Sequence, residues 1–263
     1  SGSLVYVRGG TLTDDRLLAL VDRDGGVEPL NIRPGAYASP RVSPDGTRLA
    51  VQTLEPGGES AIWLYDMSGR TQIRRLVGEG NNSRPVWTPD GQRITFMSDR
   101  SGTPSIYWQA ADGSGVAEQL TTADEGLEQR PESWSADGRT LIFTEGLTGT
   151  EHLWSLSLDD DSGPEPFHVL DDSRQTGGVF SPDGEWVAYG SNEDGNWKIF
   201  LQPFPQTGAI YPVIEEDGLY PVWSPDGGGL FFRRGVSGFG QAGGEVRRVD
   251  LTLNGAPSFS AEE

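Results

Sequence analysis

Ser43-Pro44-Asp45-Gly46 is the first of five copies of one short phrase that returns along this chain at a nearly constant interval. The other copies are Thr88-Pro89-Asp90-Gly91, Ser135-Ala136-Asp137-Gly138, Ser181-Pro182-Asp183-Gly184 and Ser224-Pro225-Asp226-Gly227. Successive aspartates lie between 43 and 47 residues apart. A period in the forties, with one supersecondary unit in each copy, is typical of a β-propeller or of another repeat array.

Large apolar residues occupy the same positions around each aspartate. Three residues before it stand Val42, Trp87, Trp134, Phe180 and Trp223. Four and six residues after it stand the pairs Leu49 and Val51, Ile94 and Phe96, Leu141 and Phe143, Val187 and Tyr189, Leu230 and Phe232. Side chains two apart on a strand point to the same face. Each copy therefore predicts two strands with one buried face, joined by a turn in which proline presets φ, aspartate bonds its own backbone and glycine takes a positive φ.

Further strands complete each repeat. Third strands are predicted at Ile62-Trp63, Ile106-Tyr107, Leu153-Trp154, Ile199-Phe200 and around Val246, and weaker fourth strands at 74–76, 118–120, 167–170 and 211–214. Four short strands per repeat make one propeller blade. No run of apolar residues at helical spacing is found.

The segment before the first motif reads as a partial blade. Strands are predicted at 4–6, 17–21 and 27–30, with the innermost strand and its turn missing, while 257–260 supplies an outer strand to the last blade. We therefore predict an all-β propeller of six four-stranded blades, with seven as the alternative. It forms a single domain over 1–263, with the partial blade over 1–38 and later blades starting near 39, 84, 131, 178 and 220.

The amino-acid composition excludes several classes of partner and of chemistry. The 263 residues carry a net charge of −19, so no basic stripe exists to neutralise phosphates, and nucleic acid is excluded as a partner. There is no cysteine, which excludes disulfides and thiolate chemistry. No apolar run is long enough to cross a bilayer and no signal peptide is visible, so membrane insertion of this domain is not expected. The initial Ser-Gly suggests either a cloning scar or a trimmed domain boundary, which is compatible with the removal of an anchor or a signal.

Motifs for catalysis are missing. The two histidines, His152 and His168, have no metal-ligand spacing and are read as ordinary strand residues. No nucleophile elbow, zinc-protease motif or phosphate-binding loop is found. The acidic phrases Asp22-Arg23-Asp24-Gly25 and Asp159-Asp160-Asp161 fall where hairpins should turn, and turn chemistry explains them better than an incomplete calcium loop.

Charged loops offer the candidate binding site. Loops that enter innermost strands should gather around one mouth of the central channel, and the candidates there are Arg84, Glu128, Arg130, Asp171, Arg174, Glu215, Glu216, Asp217 and Tyr220. Carboxylates outnumber guanidiniums, which favours a cation such as calcium or a positively charged peptide. The plainer interpretation is that these loops are charged because they are solvated.

The fullest copy of the repeat resembles a known family. Pro85-Val86-Trp87-Thr88-Pro89-Asp90-Gly91, followed by Ser98-Asp99-Arg100-Ser101-Gly102 and Ile106-Tyr107, resembles the repeats of TolB and of tricorn-like proteases. More narrowly, 202–208 and 220–227 look like the propeller attached to bacterial eukaryotic-type serine/threonine kinases. That resemblance implies an extracytoplasmic, periplasmic sensing or interaction domain, tethered through a segment absent from this sequence. It supplies no catalytic residues.

Two functions follow from these observations. The first is a non-enzymatic recognition or sensor propeller that binds a protein, a peptide or a small ligand through the loop face, within a larger envelope or receptor-kinase protein. The alternative is a channel-centred hydrolase or lyase that uses Asp, Glu and Arg with a calcium ion.

Overall fold

A computed structural model describes residues 4–7, 15–21, 26–67, 74–170, 172–234, 245–253 and 257–261. Regular structure in these ranges consists of 23 β-strands. Within the same ranges, no helix is long and apolar enough to cross a membrane. The chain divides into two compact units, Ser1–Pro131 and Glu132–Glu263.

The strands form six sheets in which neighbours follow one another along the chain. The first sheet contains β1 (Leu4–Val7), β2 (Leu18–Val21) and β3 (Val27–Pro29). The second contains β4 (Tyr37–Val42), β5 (Arg48–Leu54), β6 (Ser60–Asp66) and β7 (Arg74–Val77). The third contains β8 (Asn82–Trp87), β9 (Arg93–Ser98), β10 (Ser105–Ala110) and β11 (Glu118–Gln119).

The remaining sheets repeat this plan. The fourth contains β12 (Gln129–Trp134), β13 (Thr140–Glu145), β14 (His152–Ser157) and β15 (Pro164–His168). The fifth contains β16 (Gln175–Phe180), β17 (Trp186–Ser191), β18 (Lys198–Pro203) and β19 (Tyr211–Pro212). The sixth contains β20 (Leu219–Trp223), β21 (Gly229–Arg234), β22 (Glu245–Thr252) and β23 (Ser258–Ala261). Five sheets thus have four strands, and the first has three in the described residues.

The apolar positions predicted from the repeat form the core. All ten residues four and six positions after the turn aspartates are at most 3% exposed. Three of the aligned residues before the turns, Trp87, Trp134 and Phe180, are also buried. Val42 and Trp223 are only half-buried, although both pack against buried clusters.

The aligned tryptophans join consecutive sheets within each unit. The indole nitrogen of Trp87 on β8 donates to the carbonyl of Arg41 on β4 over 2.9 Å. In the second unit, Trp223 on β20 makes the same bond to the carbonyl of Val179 on β16 over 3.1 Å. Both acceptors stand one residue before the aligned apolar position of the preceding sheet. The same contact therefore links consecutive sheets in both units.

The five turns close by a shared hydrogen-bond pattern. In the first, the Ser43 hydroxyl donates to Asp45 Oδ1 over 2.5 Å, and the Thr47 amide donates to the same oxygen over 3.1 Å. The Arg48 amide donates back to Ser43 Oγ over 2.9 Å. Gly46 has φ of 72°, the conformation predicted from the sequence. The leading Ser or Thr of each copy therefore stabilises the turn, together with the aspartate and glycine that follow it.

The hydrogen bonds of the first turn change the pKa of its aspartate. The Ser43 hydroxyl, followed by the Thr47 amide, lowers the pKa of Asp45 from 3.8 to about 2. Because the folded pKa is depressed, the stabilisation is fully present above pH 3.8 and is lost as the pH falls towards 2. We expect Ser43→Ala to raise the pKa of Asp45 towards its ordinary value in an NMR titration of the carboxyl carbons. Asp90, in the next turn, is the internal control and should titrate unchanged; equal shifts at both aspartates would contradict this assignment.

Candidate functional site

Three of the predicted site residues lie in the first unit. Arg84 is half-buried on β8. Glu128 and Arg130 form an ion pair of 2.7 Å, in which the arginine side chain is 10% exposed and the glutamate 34%. The Arg130 guanidinium is therefore already engaged by its neighbour, which lowers the charge that this loop offers to a ligand.

The other predicted residues belong to the second unit, and Asp171 among them lies outside the described residues. Arg174 donates from Nε to Glu151 Oε2 over 2.8 Å. Glu216 pairs with Arg234 over 2.8 Å, whereas Glu215 is 94% exposed and 3.9 Å from Lys198. Asp217 is exposed. The loop before β20 therefore presents two exposed carboxylates, and Arg174 serves a buried ion pair that sequence reasoning missed.

The first strands carry a backbone feature that was also missed. Ser39, Arg84 and Tyr220 have φ of 50°, 54° and 58°, and each stands six residues before a turn aspartate and immediately before a proline. A side chain in this left-handed region is uncommon and costs on the order of 1–3 kcal/mol. The fourth copy has Gly177 at this position with φ of 67°, and the third has Pro131, whose ring excludes it.

A register shift accompanies each of these residues. The pairing of first and second strands slips between Ala38 and Arg41, Ser83 and Val86, Thr176 and Val179, and Leu219 and Val222. Such bulges re-aim a side chain and are frequent beside binding sites. The signal in the sequence is the X-Pro pair at a fixed distance before three of the turns. Arg84 and Tyr220 were predicted as site residues because of their loops, and Ser39 and Gly177 were not.

Two bulge positions adjoin in the second unit. A Cβ atom built on Gly177 would lie 3.6 Å from Pro221 Cδ and 3.8 Å from Tyr220 Cα. The half-buried Tyr220 ring has the Arg233 guanidinium 5.9 Å from its centroid. Gly177 is buried, so the two bulges are packed within van der Waals distance of each other.

Other polar residues of the loops are structural. Asp99 accepts from the amide and side chain of Asn81 over 2.7 Å each. Asn192 Oδ1 accepts from the Arg174 amide over 2.7 Å at the equivalent place in the fifth sheet. In both sheets the residue that follows the second strand secures the loop that enters the first, so a polar residue there needs no ligand to explain it.

The histidines lie on strands, as predicted. His168 on β15 is 3.2 Å from Glu193 Oε2, and the Ser191 hydroxyl donates to that same oxygen over 3.1 Å. The serine thus bonds the carboxylate rather than the imidazole, so it is not activated as a nucleophile. Residues 159–161 form the turn between β14 and β15, where hydrogen bonds from the Ser162 side chain and then from its amide lower the pKa of Asp160. Residues 22–25 lie outside the described residues.

No metal centre is visible in the described parts of the chain. They contain no group of three or more histidine, aspartate or glutamate side chains placed to hold an ion. The acidic residues are spread over separate turns and pairs, and this spread gives calcium no preferred position among them.

The chain matches one protein-family model over most of its first two thirds. The model of the TolB beta propeller domain (PD40) matches residues 24–175, more than half of the chain. This chain belongs to the TolB β-propeller family. The solved structure of TolB from Acinetobacter baumannii superposes with a TM-score of 0.73 at 21% identity, over 99% of this chain and 61% of that one. The fold is thus an all-β propeller of six blades.

Relatives in sequence are longer proteins. Protein Atu1656 of Agrobacterium fabrum, which is uncharacterized, is 34% identical over 202 residues, covering 71% of this chain and 66% of its own length. YuxL of Bacillus subtilis, an uncharacterized peptidase, is 25% identical over 196 residues, which cover 60% of this chain and 30% of YuxL. This TolB-family chain therefore spans less than two thirds of these curated relatives.

Proposed function

We propose that this TolB-family chain is a non-enzymatic recognition domain that binds a protein or peptide through the loops and bulges that begin its first strands. The observation that carries the proposal is the left-handed conformation of Ser39, Arg84 and Tyr220 at one repeated position. Strain of this kind persists where the surrounding structure enforces it, and it clusters at binding sites. The left-handed backbone recurs in four of the five copies while the residue there changes from copy to copy, so each loop can differ in what it binds.

The negative charge of the chain favours a positively charged partner. Glu215 and Asp217 are exposed in the loop that leads to Tyr220, and the whole chain carries a net charge of −19. Carboxylates at the rim of a binding surface attract positively charged segments and speed their association. We therefore propose a basic protein or peptide as the partner. We also propose that the domain lies outside the cytoplasm, within a longer envelope or receptor-kinase protein.

The similarity to a peptidase suggests a second candidate function, that of a hydrolase. A hydrolase centred on the propeller would place carboxylates and arginines around a shared pocket. In the described residues Glu128, Glu151 and Glu216 are each paired with a nearby arginine, and Ser191 is not bonded to a histidine. The match to YuxL covers 30% of that peptidase, so we propose that the shared part recognises a substrate rather than cleaving it.

A test of recognition uses peptides of random sequence displayed on phage. We expect selection against the chain to enrich peptides of net positive charge. Affinity for a selected peptide should fall severalfold in the double variant Glu215→Gln, Asp217→Asn, and should fall with added salt because exposed charges are screened. The matched control is Asp159→Asn with Asp161→Asn, two exposed residues of the β14–β15 turn. Enrichment of acidic peptides, or equal affinities in the two double variants, would overturn the proposal.

The left-handed conformation at the bulges should also affect the stability of the chain. Arg84→Gly should raise the free energy of unfolding by about 1 kcal/mol, because glycine adopts the left-handed conformation without strain while losing some backbone entropy. Urea unfolding measures this. The control is Arg41→Gly on β4, where φ is not positive and glycine should cost about 0.5–1 kcal/mol. If both variants lose stability equally, the bulge stores no strain at Arg84.

A further inference from the structure

A cavity of about 250 Å³ opens in the second unit where three connections meet. These are the loops between β13 and β14, between β15 and β16, and between β17 and β18. Its walls include Thr150, His152, Asp172, Ser173, Arg174 and Asn192. All six are polar or charged, so the cavity is built for hydrogen bonds rather than for apolar packing.

The imidazole of His152 is held in one tautomer. Its Nδ1 lies 2.9 Å from Oε1 of the fully buried Gln175, whose amide nitrogen donates to Ser173 Oγ over 2.6 Å. Because an amide oxygen only accepts, Nδ1 carries the proton in the neutral ring. The second ring nitrogen, Nε2, is then an acceptor. A buried side chain thus sets which hydrogen bond this wall of the cavity can make.

Other residues of the cavity supply hydrogen-bond donors. The Arg174 guanidinium is anchored by Glu151, which is fully buried, and lies 5.1 Å from the centroid of the Trp197 ring. Asn192 uses its oxygen to accept from the Arg174 amide, which leaves its side-chain nitrogen as a donor. Asp172 is exposed at the rim and supplies a carboxylate acceptor. The same cavity therefore offers both acceptors and donors.

The charges of the walls exclude several classes of ligand. Glu151 balances Arg174, and Asp172 leaves the surroundings slightly negative, so an anion is disfavoured. Described residues provide no group of three metal-binding side chains, so a divalent cation lacks ligands. What fits is a neutral molecule whose groups both donate and accept, and hydroxyl groups do this. The volume is below the roughly 300–1,000 Å³ of sites for drug-sized ligands, which suits a single ring.

We propose that this cavity binds a neutral polyhydroxylated ligand the size of one sugar ring. Adjacent hydroxyls would donate to His152 Nε2 and Asp172 and accept from Asn192 and Arg174. The site goes beyond the proposed recognition of a basic peptide, uses other residues than Glu215, Asp217 and Tyr220, and stands or falls separately.

The test is an NMR titration of the chain with D-glucose and with N-acetyl-D-glucosamine into the millimolar range. We expect saturable shifts of the amides at 149–152 and 172–174 with at least one of the two sugars. Asp172→Ala should weaken that binding about tenfold, as the loss of a hydrogen bond to a charged group implies. Asp172 is exposed, so the variant should keep its melting temperature. The control Asp161→Ala, in the turn at the far end of β14, should bind like the parent.

A second variant and a competing ligand complete the design. Thr150→Trp places a large side chain at the exposed rim and should abolish the shifts. Binding that survives the Glu215→Gln, Asp217→Asn double variant separates this site from the peptide surface. The proposal is overturned if neither sugar shifts these amides, or if Asp172→Ala binds as tightly as the parent. It is equally overturned if the neutral tripeptide Gly-Asn-Gly shifts them while the sugars do not, since amides also donate and accept.

Discussion

Replacing Trp87 with alanine is expected to lower the free energy of unfolding by about 3–5 kcal/mol, the usual cost of removing a large core aromatic. The ring is 7% exposed and packs with Ile62, Ile94 and Phe96 in one buried cluster. Its indole nitrogen also bonds the carbonyl of Arg41 on the preceding sheet. Truncation therefore opens a cavity between two sheets and leaves a carbonyl without its donor. Urea or thermal unfolding measures the loss.

Two further variants separate the causes. Trp87→Phe keeps most of the packing and removes the hydrogen bond, so it should cost about 1 kcal/mol. Trp108→Ala removes a half-buried tryptophan that lies beneath the Arg93 guanidinium, 3.9 Å from the ring centroid. We expect it to cost less than half as much as Trp87→Ala. A melting temperature for Trp87→Ala equal to that of the parent would show that the aligned aromatics do not form the core.

The repeat determined most of the fold in advance because its signals are local. A Pro-Asp-Gly turn and apolar residues two apart specify a hairpin and its buried face without reference to distant parts of the chain. Leu49 and Val51 are both fully buried for this reason. Val42 and Trp223 were placed less well, since their exposure depends on how closely the neighbouring sheet covers them. That coverage is tertiary, and no spacing within one repeat encodes it.

The candidate site was harder to predict because charge alone does not distinguish function from support. Arg174 and Glu128 were grouped by loop position, yet each pairs with a partner nearby in the structure. Glu151 is 23 residues from Arg174 and was not considered, since a glutamate in a loop is usually solvated. The bulges were missed for a different reason. A residue before proline normally takes extended backbone, so an X-Pro pair does not by itself indicate a positive φ.

Arg174→Met is expected to cost about 3–5 kcal/mol, since removing one partner of a buried ion pair leaves an uncompensated charge. The Glu151 side chain is fully buried, and its Oε2 accepts from Arg174 Nε over 2.8 Å and from the Gly149 amide over 2.9 Å. The pair ties the loop before β14 to the loop before β16, so its loss should loosen both. The matched control is Arg139→Met, which breaks an ion pair of 3.2 Å whose side chains are 63% and 56% exposed. Exposed pairs contribute about 0–1 kcal/mol.

The double variant Arg174→Met, Glu151→Gln isolates the charge as the cause. Glutamine keeps an acceptor for the Gly149 amide while removing the negative charge, so the double variant should be more stable than Arg174→Met alone. A gain in the free energy of unfolding from the second substitution is unusual, because a second substitution in a buried site normally lowers it further. Urea unfolding of the parent, both single variants and the double variant completes the cycle. If the two substitutions simply add, the Arg174 guanidinium acts through its contact with Trp197 rather than through Glu151, and the buried pair is not what holds these two loops together.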